Sequence, residues 1–320
     1  MFNHAAAIGA DIGRYRLKIA VVKIGGEIIH VKSYPLNQKQ SRDYLITKLL
    51  EAIREIRQAV AEDGINPICV GTAVKGFINH KSGIVLGPDQ GIQNWTNVPL
   101  AKIVNQETGL PAYVDNDANM MTIAEHRFGA ARGFNNIIFV ALRTGIGGGI
   151  IINGKLYRGV NNAGGEVGQM IIDHKNGLSD KGIRGSYEHL ASASAIVRRY
   201  YEEICAVHDK KNKTLTCKEI FELSYNNSPV AVKVVNENAE MVGIGLANLI
   251  SIFAPEIVVL GGGMSEAQDN YFSVIRKSAF ANSLENCRSK VKIERAHLGS
   301  VGSLFGSAYW GMTRLAGKNI

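Results

Sequence analysis

The stretch "AAAIGADIGRYRLKIAVVKIGGEIIHVKSYPL", Ala5 to Leu36, decides the fold. Short alternating apolar runs are separated by Gly9, Gly13 and the Gly25-Gly26 turn. Alternation between turn residues is the pattern of antiparallel strands, because successive side chains point to opposite faces. The stretch therefore reads as a hairpin or meander. The same order returns in "NNIIFVALRTGIGGGIIINGKLYRG", Asn135 to Gly159: strand, glycine turn, strand, hairpin turn. Such an internal echo predicts two related α/β halves.

Outward from these two stretches, strands and helices alternate. Leu45, Leu49, Leu50, Ile53, Ile56 and Val60 recur at helical spacing, so a helix is expected from Tyr44 to Val60. "PICVG" reads as a short buried strand ending at Gly71. A strand is expected at Ala112 to Val114, with a new helix starting beside Asp117. Helices dominate from Ala191 to about Ile252, and "PEIVVLGGG" is a further strand running into a glycine turn. A helix, the strand "VKIERA" and a last helix from Val301 to about Leu315 complete the chain. Alternation of this kind predicts an α/β chain of two domains around a cleft. The expected domains are 1–123 and 124–320, with the terminal helix, about 301–315, packing back on the first.

Composition bounds the function classes. With 320 residues the chain can bury a sizeable core. The 35 glycines exceed the usual ~7% and point to many tight turns and close backbone approaches. A formal net charge of +8 favours anionic partners without choosing between nucleotide and nucleic acid. Cys69, Cys205, Cys217 and Cys287 form no C-x-x-C, which argues against a disulfide scaffold and for a reducing compartment. No apolar run approaches the ~18 residues of a membrane span, and no signal-like run precedes Asp11. The expected location is the cytoplasm, with no membrane partner.

Three glycine-bearing turns follow strands: "DIGRYR" at Asp11, "LRTGIGGG" at Leu142 and "LGGG" at Leu260. Glycine there lets backbone amides come close to a phosphate, although strand-end geometry alone explains any one of them. None is a P-loop. "VDNDANMM" sets Asp115, Asn116, Asp117 and Asn119 at a strand-to-helix junction. Asp or Asn at that place caps a helix, and a carboxylate there can also act as general base for an alcohol. The two jobs are compatible only on different residues. "GGEVGQMIIDHKNGLSDKGIRGSYE", Gly164 to Glu188, pairs Glu166 and Glu188 with a long polar loop.

Four segments together carry a specific resemblance: "GTAVKGFINHKSGIVLGPDQGIQNWTNVPL", "NDANMMTIAEHRFGAA", "TGIGGGIIINGKLYRG" and "AGGEVGQ". From Ala10 to about Gly306 the chain resembles the ROK family of bacterial sugar kinases, sugar-responsive repressors and their relatives. The resemblance implies the two-domain actin-like ATPase (ribonuclease H-like) fold and a homodimer. It implies Asp117 as the base that takes the proton from a sugar 6-hydroxyl. Gly76, Asn116, Asp117, Glu166, Gln169 and Glu188 match the sugar-binding positions. Asp11 and Gly13 match the first phosphate loop, where the aspartate organises Mg²⁺. Thr144, Gly145 and Gly147 match the second, and Gly261, Gly262 and Gly263 match the adenosine loop. Mg²⁺ and ATP are the implied cofactors.

The departures are as informative. Zinc-bearing relatives hold one histidine and three cysteines where this chain has Gln169, Ser179, Lys181 and Ser186. Without a thiolate or imidazole among the four, tetrahedral zinc has no site there. His174 stands at the wrong position and reads as loop surface. Arg14 and Tyr15 replace the usual glycine and threonine of kinase members, and Arg143 replaces a glycine. Guanidinium groups bind phosphate well, yet the same side chains can crowd the γ-phosphate. A first loop of this kind resembles the repressor branch, whose winged helix-turn-helix has no counterpart in the ten residues before Asp11. Direct sequence-specific DNA binding is not expected. Two readings stay open: an ATP-dependent kinase of a hexose or N-acetyl amino sugar, and a non-catalytic sugar-binding regulator.

Overall fold

The computed structural model describes residues 5–37, 40–87, 92–175, 182–205 and 215–318. Contacts divide the chain into two compact units: Met1–Asn135, Gly149–Gly164 and His297–Ile320 in one, Asn136–Gly148 and Gly165–Ala296 in the other.

The opening stretch folds as a meander: β1 (Ala6–Ile12), β2 (Arg16–Lys23) and β3 (Ile28–Pro35), each antiparallel to the next. Helix α1 (Arg42–Ala61) follows, wider than the spacing predicts because Ser41 caps it, its hydroxyl accepting from Tyr44 N at 3.2 Å. Then come β4 (Val70–Val74), α2 (Leu100–Thr108), β5 (Ala112–Asn116) and α3 (Asp117–Phe128). The sheet order is β3-β2-β1-β4-β5, with β4 parallel to both β1 and β5.

The second half repeats the plan with β6 (Ile137–Leu142), β7 (Ile146–Ile152), β8 (Lys155–Tyr157), β9 (Ile257–Gly261) and β10 (Lys292–Arg295). Their order is β8-β7-β6-β9-β10, the first sheet's order in new numbers. The helices here are α4 (Tyr187–Ala191), α5 (Ala193–Cys205), α6 (Cys217–Tyr225), α7 (Pro229–Phe253), α8 (Asp269–Ala281) and α9 (Glu285–Arg288). The last helix, α10 (Gly302–Leu315), belongs to the first unit and packs on β1, β4 and α3.

Strand periodicity explains how one sheet serves two cores. Along β1, Ala6, Ile8, Ala10 and Ile12 join the cluster under α1 and α2. The alternate residues turn to the other face, where Ala7 packs with Leu304, Ala308 and Met312 of α10. Gly9 is on that face too, and a Cβ there would stand 2.1 Å from the Leu304 carbonyl oxygen. Asp11 is next in the row, 7% exposed.

The expected strand "PICVG" is displaced. The strand begins at Val70 and runs through Gly71 to Val74 rather than ending at the glycine. Gly71 is a close-approach residue, since a Cβ would lie 1.8 Å from the Ser307 carbonyl oxygen. Pro67, which has no N–H to give a ladder, precedes the strand.

Candidate functional site

In the first unit the expected site residues lie at the C-terminal ends of the parallel strands. The register places Asp11, Ala73 and Asp115 side by side across β1, β4 and β5. Strand ends of this kind are where open α/β sheets bind ligands. Asn116 is the N-cap of α3: its Oδ1 accepts from Ala118 N at 2.9 Å and Asn119 N at 3.2 Å. Its Nδ2 donates to the Gly76 carbonyl at 3.0 Å, tying the left-handed Gly76 (φ 102°) to the same junction. Asp117 is then the first helical residue, half-buried, with its carboxylate at the positive end of the helix dipole. Capping of α3 therefore falls to Asn116 and not to Asp117.

Asp11 sits at the end of β1 and accepts from the Ser303 hydroxyl at 2.6 Å. The turn after it is exposed from Gly13 to Arg16. Gly13 N donates to the Arg16 carbonyl at 3.0 Å, so this amide closes the hairpin. Tyr15 is 48% exposed, and the Arg14 guanidinium lies 5.5 Å from its ring centroid. Two of the three residues that depart from the kinase pattern thus lie against each other.

In the second unit Glu188 lies on α4, which Ser186 caps by accepting from His189 N. Tyr187, fully buried beside it, donates from its hydroxyl to the Val242 carbonyl at 3.0 Å and lies against Gly245 of α7. Glu188 Oε2 accepts from Ile146 N at 2.9 Å, and Gln169 Nε2 reaches Oε1 at 3.4 Å. Gly145 is required by the same approach, because a Cβ there would stand 2.3 Å from Glu188 Oε2. Gln169 closes a short 3-10 turn begun at Glu166, whose carbonyl accepts from Gln169 N at 3.0 Å. Gln169 Oε1 is buried with no hydrogen-bond partner among the described residues. Glu166 itself is exposed.

The glycine turns of this unit also come together. Thr144 is exposed, Gly147 is half-buried in β7, and Ser194 N donates to the Thr144 carbonyl at 3.4 Å. Gly262 (φ 89°) is held by Ser265, whose hydroxyl donates to its carbonyl at 2.7 Å. Gly261 abuts the Phe139 ring, whereas nothing lies within 4 Å of a Cβ on Gly263. The Arg143 side chain runs past Gly262, its Cγ 2.8 Å from where a Cβ would be.

Of the four positions compared with zinc ligands, Ser186 is a helix cap and Gln169 bonds Glu188, while Ser179 and Lys181 lie outside the described residues. Among the described residues no group of three or more His, Cys, Asp or Glu is arranged to hold a metal ion. No described helix is long and apolar enough to cross a membrane.

The ROK family profile matches residues 7–314. The chain belongs to the ROK family. Its ROK relatives include a glucokinase of Halalkalibacterium halodurans, 29% identical over 94% of this chain and 93% of the relative. A xylose repressor of Bacillus spizizenii is 30% identical over 86% of this chain and 69% of its own length. Among solved structures, a ROK glucokinase of Streptomyces griseus in complex with glucose and AMPPNP is 31% identical, with a TM-score of 0.81 over 97% of this chain and 100% of that one. The fold of this ROK chain is the actin-like ATPase fold of the sugar kinases.

Two buried acids of the first unit have partners that the sequence does not reveal. Asp115, 2% exposed, is bound by Arg158 from 43 positions away. Glu125, also 2% exposed, gathers Ala130 N, His297 N and Leu298 N on its carboxylate. An acid preceding Asn-Asp was the only available signal for the first, and the second had none. A cavity of about 300 Å³, lined by Gly25, Gly26, Arg127, Phe128 and Arg132 among others, contains none of the expected site residues.

Burial holds the imidazoles of His80 and His126 below the ordinary histidine value, with Arg158 adding to the first effect and Arg127 to the second. The unfolded chain takes up protons at these two residues from about pH 6.5 downward, before the folded chain does. Stability should therefore be lost as pH falls through and below that value. Thermal melts between pH 7 and 5 should show a shallower decline for His80→Asn with His126→Asn than for the wild type. Parallel declines would show that the two rings do not govern this limb.

Proposed function

We propose that this ROK chain transfers the γ-phosphoryl group of ATP to the 6-hydroxyl of a hexose or N-acetyl amino sugar. The observation that carries this reading is the capping of α3 by Asn116 at the β5–α3 junction. Because Asn116 caps α3 and holds Gly76, Asp117 need not cap the helix, and its carboxylate at the strand end would serve as the base. The hydroxyl proton goes to the Asp117 carboxylate as the sugar oxygen bonds to phosphorus and the bond to the leaving diphosphate breaks. Gln169 supports the sugar half: a buried acceptor without a partner costs about 1–3 kcal/mol, and a sugar hydroxyl would satisfy it. Glu166 and Glu188 offer carboxylate acceptors for further hydroxyls.

Asp11 fits the metal side, being a hard oxygen donor at a strand end with its geometry held by Ser303. Mg²⁺ bound there with ATP would offset phosphate charge. By the family resemblance the nucleotide would rest on Gly261, Gly262 and Gly263 of the second unit, with Thr144, Gly145 and Gly147 toward the phosphates. Glucose and N-acetylmannosamine are the acceptors named for relatives, so a coupled ADP-release screen across free and N-acetylated hexoses is the test. No turnover on any of them would overturn the reading.

The second reading, a sugar-binding regulator without turnover, is favoured by Arg143 lying against Gly262 in the expected adenosine loop. Sugar affinity with no ATP affinity would establish it. On either reading Glu166→Ala should weaken binding of the best sugar by roughly 1.5–3 kcal/mol, the value of a charge-assisted hydrogen bond. Calorimetry showing unchanged affinity would remove Glu166 from the sugar site.

A further inference from the structure

The buried carboxylate two residues before Asp117 belongs to a network that the chemistry above does not use. Asp115 Oδ1 accepts from Asn116 N at 2.7 Å and from Asn119 Nδ2 at 3.2 Å, fastening the first turn of α3. Its Oδ2 takes two bonds from Arg158, one from the terminal nitrogen at 2.7 Å and one from Nε at 3.2 Å. Both partners are buried, with the Arg158 and Asp115 side chains 10% and 2% exposed. The Arg158 guanidinium also lies 4.5 Å from the ring centroid of Trp310, a fully buried residue of α10 that has Arg314 at 5.3 Å.

Arg158 is the first residue after β8, and the segment it leads is fastened at further points. Gly164 N donates to the Arg158 carbonyl at 2.8 Å. Asn162 Oδ1 is hydrogen-bonded to His80 Nδ1, and the His80 ring is 6.1 Å from Trp310. Two residues beyond Gly164 in the sequence is Glu166. A buried ion pair adds little net stability over apolar residues of the same shape, because desolvation offsets the attraction. What a stacked arginine giving two bonds to one carboxylate oxygen does supply is fixed geometry.

Resting on the kinase reading, we propose that Arg158 is a positioning residue. Through Asp115 it sets the register of Asn116 and Asp117, and through its backbone it closes the loop from Arg158 to Gly164. Asp115 is its working partner. Neither residue touches the reacting atoms.

The test separates geometry from mere stability. Arg158→Met alone leaves a buried carboxylate without its counter-ion and is expected to melt early. The double variant Asp115→Asn with Arg158→Met removes both charges. Its new amide oxygen can still accept from Asn116 N, so its Tm should return close to that of the wild type. Its kcat should nevertheless stay about 10- to 100-fold low, the effect of a misplaced reacting group, with KM for ATP within about twofold of wild type. Arg158→Lys keeps the charge but not the fork, and should fold with an intermediate kcat. The proposal is overturned if the double variant has wild-type kcat and sugar KM, or if kcat merely follows Tm across the three variants. A wild type without turnover on any hexose overturns the kinase reading, and this inference with it. A wild type that turns over beside an unimpaired double variant overturns the inference alone.

Discussion

Replacing Asp117 with Asn should lower turnover by roughly 10²–10⁴-fold, the contribution of a positioned general base. The substitution keeps the size of the side chain and removes only its capacity to take a proton. Helix capping does not confound it, because Asn116 accepts from the amides of Ala118 and Asn119. The loss of a negative charge at the first helical position costs only about 0.3–1 kcal/mol, so the melting temperature should move little. Steady-state rates at saturating sugar and ATP, set beside a thermal melt, read both effects. A variant that turns over like the wild type would show that Asp117 is not the base. Tyr15→Thr with Arg143→Gly should leave the rate equal or raise it, if these side chains only obstruct.

The largest stability effect is expected at Gly71→Ala. A Cβ would stand 1.8 Å from the Ser307 carbonyl oxygen and 2.4 Å from its carbon. The obstacle is helix backbone, which cannot rotate aside, so α10 would have to move as a body. That movement is resisted elsewhere, because Gly306 of α10 brings the Met120 carbonyl of α3 to within 1.8 Å of a would-be Cβ. Overpacking typically costs 1–3 kcal/mol and occasionally more; here about 3 kcal/mol is expected. The entropic gain of alanine over glycine, about 0.4–1 kcal/mol, offsets only part. Gly25→Ala, with nothing within 4 Å of its Cβ, is the matched control and should be close to neutral. Denaturant midpoints that fall together for the two variants would show that α10 does not lie against β4 as described.

The local fold was legible in the sequence. Alternation in Ala5–Leu36 and its return in Asn135–Gly159 were enough for two equivalent meanders, since strand periodicity and turn residues are properties of neighbours along the chain. The helical spacing of Leu45 to Val60 fixed the buried face of α1 for the same reason. At the β5–α3 junction the sequence supplied two candidate jobs for Asn116 and Asp117. That Asn116 also holds Gly76, forty residues earlier, through its side-chain amide was visible only in the structure. Gly71 looked like a strand end because nothing nearby in sequence shows the helix that passes over it more than two hundred residues later. Asp115 stands in the local junction pattern, but nothing nearby in sequence names Arg158 as its partner. Their pairing depends on the hairpin after β7 being brought beside the end of β5, with Trp310 of α10 as a wall. Close approach and buried pairing are decided by residues distant in sequence, and for this protein only the tertiary structure could supply them.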